Sequence, residues 1–147
     1  MLARDLADAD FPTLQLDADA GAAARLMAER RLPGLVITGA DGLPKAVLPG
    51  SQVLRFVIPG YVQDDPMLAR VYGERAADRL SEKLAGTSIR TLLREERTQP
   101  PIVDGAATGV EIAAVMARLH SPLVAVVEGG RLLGVVTVNR LFEWLVR

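Results

Sequence analysis

Two pairs of short apolar runs, each pair joined through a glycine turn, stand out in the pattern of hydrophobic positions along the chain. The first pair reads LVIT, GADG, LPKAVL from residue 35, and the second reads LVAVV, EGG, RLLGVV from residue 123. Short runs rich in Val, Ile and Leu that are bounded by Gly are typical of buried strands. The pattern therefore predicts two β-hairpins.

Helices are predicted before and after each hairpin. Residues 20–31 and 108–119 carry apolar positions three and four residues apart. Each of these helices follows a proline-containing extended segment, FPTLQL at 11–16 or QPPIVD at 99–104. A short helix leads into each unit, and a closing helix follows each hairpin, roughly over 51–57 and 138–146. The predicted order is helix, strand, helix, strand, strand, helix, and it occurs twice.

The sequence repeats in step with these elements. A shift of 88 positions places residues 33–54 on 121–142, so that Leu35-Val36 meets Leu123-Val124 and 46–48 meets 134–136. One residue of slippage upstream aligns Met27 with Met116, and ARDL at 3–6 resembles IRTL at 89–92. Self-similarity at a fixed offset indicates a duplicated unit. We assign residues 1–60 to a first α/β repeat, 61–86 to an inserted connecting helix and 87–147 to a second repeat.

The inserted segment predicts one amphipathic helix over 63–86. Asp64 or Asp65 can cap it with Pro66 at its first position, and Gly86 can end it in a left-handed conformation. Its apolar stripe consists of Leu68, Val71, Tyr72, Ala76, Leu80 and Leu84. Two interpretations are open, since the helix either covers its own domain or packs across a subunit interface.

Composition excludes several classes of function. Lys and Arg number 17 against 18 Asp and Glu, so the net charge of −1 gives no electrostatic footprint for nucleic acid or an anionic membrane. With no cysteine and one histidine, the chain offers neither a thiolate nucleophile nor a convincing catalytic triad. No stretch has the length to span a bilayer. We therefore expect a soluble cytoplasmic protein that is not an enzyme and holds no metal.

The double pattern resembles a tandem pair of cystathionine-β-synthase (CBS) domains over nearly the whole chain. The residues that carry the resemblance are Leu26-Met27-Ala28-Glu29, Leu35-Val36-Ile37, Gly42 and Gly134-Val135-Val136-Thr137, in that order. The resemblance implies two β-α-β-β-α repeats packed about a pseudo-twofold axis. It also implies a regulatory module that requires no cofactor but binds AMP, ADP, ATP or S-adenosylmethionine in clefts between the repeats.

The same resemblance implies where a ligand would bind. In the family pattern Gly-h-h-Thr-x-x-Asp, with h apolar, the Asp accepts hydrogen bonds from both ribose hydroxyls. This chain has Thr137 and Arg140 in the second unit, and Pro49 and Gln52 in the first. Arginine has only donors, so it cannot replace that carboxylate. The candidate ligand-binding residues are Thr137, Arg140, Asn139, Ser51 and Gln52, with backbone groups of Leu35, Val36 and Val124.

Two of the polar candidates, and His120 besides them, allow a structural alternative. Arg140 lies in the first turn of a helix, where its charge has the wrong sign for the dipole and needs compensation. Either it points at an anion in the cleft, or it pairs with Glu143 or an acid of a neighbouring unit and the cleft is sealed. Ser51 either caps its helix or touches phosphate. His120 either caps a helix end or senses pH or a ligand.

The expected partners follow from the surface and from the resemblance. Phe142, Trp144, Leu145 and Val146 make the closing helix apolar on more than one side, which predicts a homodimer through the closing helices. The ligand response would act on a separate client enzyme or transporter. The alternative is a ligand-free dimerisation or docking module that regulates an enzyme or transporter in trans.

Overall fold

The computed structural model describes residues 1–73, 75–94 and 99–147. The first half contains α1 (Ala3–Leu6), β1 (Thr13–Gln15), α2 (Ala20–Arg30), β2 (Gly34–Thr38), β3 (Pro44–Pro49) and α3 (Gly50–Val57). The second half contains α6 (Ile89–Arg94), β4 (Ile102–Asp104), α7 (Gly109–Leu119), β5 (Leu123–Glu128), β6 (Arg131–Thr137) and α8 (Val138–Leu145). Between them lie α4 (Gly60–Asp64), a 3₁₀ helix (Pro66–Val71) and α5 (Arg75–Ala85). The predicted order of elements is confirmed in both halves.

Each half forms one three-stranded sheet with the same topology. In the first sheet β2 lies between β1, which runs parallel to it, and β3, which runs antiparallel; β5 lies likewise between β4 and β6. The two hairpins even share an irregularity of register, at Ile37/Thr38 and at Val126/Val127. The expected α/β fold of two equivalent repeats is therefore confirmed.

The register corrects the sequence alignment by one residue ahead of the hairpin turns. Gly34 pairs with Pro49 and Leu123 pairs with Thr137, so Leu35 corresponds to Val124 and not to Leu123. After the turns the shift of 88 positions holds, because five residues separate the paired Thr38 and Pro44 whereas four separate the equivalent pair Val127 and Leu132. Since side chains alternate along a strand, a slip of one residue exchanges the two faces of the sheet.

Three groups of buried side chains hold the molecule together. In the first unit, Leu35 and Ile37 of β2 pack towards α2, and in the second unit Val124 and Val126 of β5 pack towards α7. The alternate positions face the other sheet. They form a shared core at the centre, made of Phe11, Val36, Leu123, Ala125 and Val135. This central core joins the two repeats sheet against sheet.

The two leading helices are exchanged between the repeats. α1 packs on the second unit, where the Ala3 N–H donates to the Ala107 carbonyl at 2.7 Å. α6 packs on the first unit, where the Ile89 N–H donates to the Ala18 carbonyl at 2.9 Å. An Arg4–Glu128 ion pair of 2.6 Å fastens α1 and raises the pKa of Arg4. The boundaries 1–60 and 87–147 stay a prediction about chain segments, because in space each unit receives its first helix from the other half.

The inserted segment differs from the single helix predicted over 63–86. Asp65 does cap a helix that starts at Pro66, accepting from the Met67 N–H at 3.2 Å, but that helix is of 3₁₀ type and ends at Val71. Because Pro66 restricts the preceding Asp65 to extended backbone, α4 ends before the 3₁₀ helix begins. Gly86 is not left-handed, since Gly42, Gly129 and Gly130 are the glycines of positive φ among the described residues.

The inserted helix α5 covers its own chain, as one of the two interpretations held. It packs against α2 and α3 of the first unit. The Lys83 ammonium donates to the Phe56 carbonyl at 3.2 Å and lies 4.9 Å from the centre of the Phe56 ring. A cation over an aromatic face is attracted by the ring quadrupole. α5 is therefore attached at the C-terminal end of α3.

Candidate functional site

A cavity of about 240 Å³ lies where the two repeats meet beside β3 and α3. The first repeat contributes the end of the hairpin and the first turns of α3, and the second repeat contributes the segment before β4 and the end of α7. Apolar side chains, including Val47 and Leu119, form part of its wall. Its polar lining consists of Ser51, Gln52, Arg55, Gln99, His120 and Ser121. Polar residues thus predominate around this cavity, and it offers hydrogen-bonding groups to a small polar molecule.

Gln52 is the most unusual residue of this cavity. α3 starts at Gly50 directly after the strand, so the helical turn carries Gln52 inward, where 7 % of its surface remains exposed. Its amide nitrogen is buried and has no hydrogen-bond partner among the described residues. Burying an amide donor without a partner costs about 1–3 kcal/mol. Gln52 therefore borders the cavity and carries a buried donor without a partner in the described part of the chain.

Ser51 lies next to Gln52 but does not cap α3. The N-cap is Pro49, which provides no side-chain cap, so the capping interpretation of Ser51 is wrong. The Ser51 side chain is exposed and borders both this cavity and a neighbouring one of about 650 Å³. Ser51 and Gln52 are thus the two predicted site residues that the structure brings into one cavity.

The pseudo-equivalent cleft in the second unit has different chemistry. Thr137 corresponds to Pro49 and caps α8 by accepting from the Arg140 N–H at 3.1 Å. Arg140 corresponds to Gln52, and its guanidinium donates to the Glu143 carboxylate at 3.2 Å. Of the two accounts of Arg140, the ion pair with Glu143 is confirmed. Asn139 is exposed on the same first turn.

The second half of β6 also contacts the N-terminal segment of the chain. The Asp8 N–H donates to the Val135 carbonyl at 2.9 Å, and the Val135 N–H donates back to Asp8 at 3.1 Å. Phe11 then enters the central core beside Val135. Gly134 permits this approach, because a Cβ at that position would lie 2.5 Å from the Asp8 carbonyl oxygen. Thr137, Arg140 and the Val135 backbone thus all have partners within the chain.

The three predicted backbone contributors lie deep in the sheets. Leu35, Val36 and Val124 are completely buried. They belong to the central strands β2 and β5, which are hydrogen-bonded to a strand on each side. None of the three lines either of the cavities described above. Their role in ligand binding stays a prediction, and the polar set is divided between two clefts.

Several residues of the first cavity were not among the predicted site residues. Arg55, Gln99 and Ser121 join it from three separate elements. His120 was considered only at the helix end, and it does form the C-cap of α7, with its N–H donating to the Met116 carbonyl. His120 and its counterpart Arg31 have φ values of 50° and 53°. Left-handed residues other than Gly are uncommon, so matching the two repeats at their helix ends would have pointed to this position.

Comparisons with known proteins place the fold among established ones. A family model for the CBS domain matches residues 90–147. A solved CBS-domain-containing protein of unknown function from Kribbella flavida is 48 % identical, with a TM-score of 0.83 and coverage of 100 % of this chain and 99 % of that one. The chain belongs to the CBS-domain family. Its two repeats therefore form a CBS pair, as the resemblance implied.

More distant structures share the fold of this CBS pair. A conserved CBS-domain protein of unknown function from Thermoplasma acidophilum is 21 % identical, with a TM-score of 0.71 over 100 % of this chain and 70 % of that one. CBSX2 in complex with AMP is 14 % identical, with a TM-score of 0.69 over 98 % of this chain and 95 % of that one.

Two findings, one on curated proteins and one on membrane-spanning helices, are negative. The comparison with curated proteins gives no match. None of the helices in the described part of the chain combines the length and the apolar character that crossing a membrane requires.

Proposed function

We propose that this CBS pair is a regulatory sensor that binds an adenine nucleotide or a related anion in the cavity beside Gln52. AMP, ADP, ATP and S-adenosylmethionine are the ligand candidates. Binding would change how the two repeats pack, and the output would act on a separate enzyme or transporter in the cytoplasm. No catalytic step is part of the proposal.

The observation that carries the proposal is the unpartnered buried amide of Gln52. Buried polar groups in native proteins nearly always have partners, so an exception inside a cavity is informative. The cavity volume of about 240 Å³ is below the roughly 300–1,000 Å³ usual for ligand pockets, so a bound nucleotide would extend beyond it. Gln52 and Ser51 would hold its polar atoms from one side, and Gln99 and His120 from the other. A ligand in this position would touch both repeats at once.

The structural neighbour CBSX2 supports the choice of nucleotides to test. That protein was solved in complex with AMP, on a fold that matches 98 % of this chain. Its identity to this chain is 14 %, so it shares the fold and supplies a candidate ligand only. The polar groups beside the cavity here are amides, hydroxyls, an imidazole and the Arg55 guanidinium. Such groups provide donors for phosphate or carboxylate oxygens.

A second candidate function draws on the second cleft. There Arg140 is neutralised by Glu143, and Thr137 is engaged in capping α8. Groups that satisfy each other need no ligand. This arrangement favours the alternative of a ligand-free dimerisation or docking module that regulates an enzyme or transporter in trans. In that case Thr137, Asn139 and Arg140 serve the closing helix alone.

In both versions we propose a homodimer. The closing helices keep apolar side chains exposed, among them Leu54 on α3 and Phe142 on α8. Exposed apolar clusters on soluble domains often mark interaction surfaces. A dimer would also give the sensor a defined surface for its client.

Thermal unfolding with a ligand panel tests the proposal. AMP, ADP, ATP and S-adenosylmethionine are added at millimolar concentration to the wild type, to Gln52→Met and to the matched variant Arg140→Met. We expect at least one ligand to raise the Tm of the wild type and of Arg140→Met, and to leave Gln52→Met unchanged. A ligand at 100 times its Kd stabilises by about 2.7 kcal/mol, which such a scan resolves. The absence of any shift in the wild type would favour the ligand-free module.

A further inference from the structure

The inserted segment between the two repeats carries a groove of its own, with a volume of about 690 Å³. The end of the 3₁₀ helix and the first turns of α5 form it. Its described lining residues are Val71, Tyr72, Gly73, Arg75, Ala76 and Arg79. None of them borders the cavity beside Gln52. The groove is therefore a second, separate surface of the molecule.

Large apolar side chains around this groove are exposed. Val71 is 82 % exposed at the groove itself, and Met67, one turn before it on the 3₁₀ helix, is 67 % exposed. The Tyr61 and Tyr72 hydroxyls form a hydrogen bond of 2.5 Å, which joins α4 to the end of the 3₁₀ helix and holds Tyr72 beside the groove. Exposed apolar side chains that lie together often mark an interaction surface.

The charged residues in the described lining of the groove are both arginines. Arg75 and Arg79 lie about one turn apart on α5, and both are exposed. Neither forms an ion pair with any residue that the structure describes. The acidic residues of the same helix, Asp78 and Glu82, do not line the groove. The groove therefore offers two unpaired guanidinium groups next to apolar surface, which complements a partner that is both acidic and apolar.

We infer that this groove binds an acidic segment of the client protein, whose carboxylates pair with Arg75 and Arg79 and whose apolar side chains contact Val71 and Tyr72. The inference rests on the proposed action on a separate protein and names the surface for it. A guanidinium group can bind a carboxylate through two parallel hydrogen bonds, which gives such a contact defined geometry. A nucleic acid matches this surface less well, because the chain as a whole carries a net charge of −1.

Selection from a displayed library of random peptides tests the inference without knowledge of the client. The library is selected on the wild type and counter-selected on the double variant Arg75→Glu/Arg79→Glu. A labelled peptide from the enriched pool is then titrated by fluorescence polarisation against the wild type, Arg79→Glu and Val71→Ser. Arg118→Glu is the matched control, since it makes the same change of charge on α7 of the second repeat. All four substituted residues are exposed, so each variant is expected to fold, and circular dichroism checks this.

The enriched peptides are expected to combine Asp or Glu with apolar residues. Their affinity should fall about tenfold or more in Arg79→Glu, fall less in Val71→Ser, and stay unchanged in Arg118→Glu. A pool without enrichment of acidic residues overturns the inference, and so does equal binding to Arg79→Glu and the wild type.

A labelled single-stranded DNA oligonucleotide is titrated in parallel. If it binds more tightly than the peptide and loses affinity in Arg79→Glu, the groove is a nucleic-acid site and the inference is overturned. Each of these outcomes leaves the thermal-shift test of the cavity beside Gln52 unaffected, so the failure of this inference is distinguishable from the failure of the proposed ligand sensor.

Discussion

Replacing Gln52 by methionine should make the unliganded protein more stable. Methionine has nearly the length and volume of glutamine, so the surrounding packing is retained. The substitution removes an amide nitrogen that is buried without a hydrogen-bond partner among the described residues. Removal of a hydrogen-bonded buried polar group usually destabilises a protein, whereas here the polar group has no partner and is expected to lower stability.

The size of the effect follows from the cost of an unsatisfied donor. That cost is about 1–3 kcal/mol, and exchange for an apolar group of the same shape recovers most of it. For a chain of this length, 1 kcal/mol corresponds to roughly 3 °C in Tm. Gln52→Met should therefore raise the Tm by about 3–9 °C, and urea unfolding should show a higher midpoint with an unchanged slope.

The same substitution at Gln63 is the matched control. The Gln63 amide nitrogen donates to the Arg55 carbonyl at 2.9 Å and to the Ile58 carbonyl at 2.7 Å. Gln63→Met removes both bonds and should lower stability by about 1–2 kcal/mol. The two variants thus change the Tm in opposite directions. A Tm for Gln52→Met at or below that of the wild type would refute the reasoning, since it would mean that the Gln52 amide is satisfied in the folded protein.

Three other substitutions test the surroundings of the two clefts. Thr137→Ala should lower the free energy of unfolding by about 1 kcal/mol through loss of the α8 cap while leaving any ligand response intact, and unchanged stability would contradict the capping role. Gly134→Ala should cost about 1–3 kcal/mol because the new methyl group meets Asp8, whereas Gly60→Ala, with no atom within 4 Å of the added Cβ, should be nearly neutral; equal effects would argue against the close approach. His120→Gly should raise the free energy of unfolding in a urea titration by about 0.5–1 kcal/mol because glycine adopts the left-handed conformation without strain, and a decrease would show that the imidazole makes a compensating contact.

The local elements of this protein were predictable because their signals lie within a few residues of each other. Continuous apolar runs joined by glycine turns specify the hairpins, and Thr137 and Pro66 mark helix starts by the chemistry of their own turns. The duplication was readable for the same reason, since both halves repeat these local signals. The single helix predicted from Pro66 to Gly86 was wrong because its apolar spacing continues across Tyr72, where the 3₁₀ helix ends in extended backbone.

The candidate site could be predicted only in part. Ser51 and Gln52 are neighbours in sequence, and the structure places them in one cavity. Thr137, Asn139 and Arg140 occupy the pseudo-equivalent turn of the other unit. The polar residues predicted for one site therefore lie at two separate positions, the start of α3 and the start of α8. Nothing in the pattern distinguishes a buried Gln52 from an exposed one, because burial depends on the helix end and loop of the other repeat.

The sequence alone determined the two α/β units, their internal order and the Thr137 cap of α8. Tertiary structure alone decided that the leading helices exchange places, that Leu35 corresponds to Val124, and that α5 covers one repeat but not the other. The physical reason is distance along the chain. Capping and periodicity act between residues a few positions apart. The contacts of α1 with β6 and of α6 with α2 join residues that are far apart in the sequence, so they form only when the two repeats pack together.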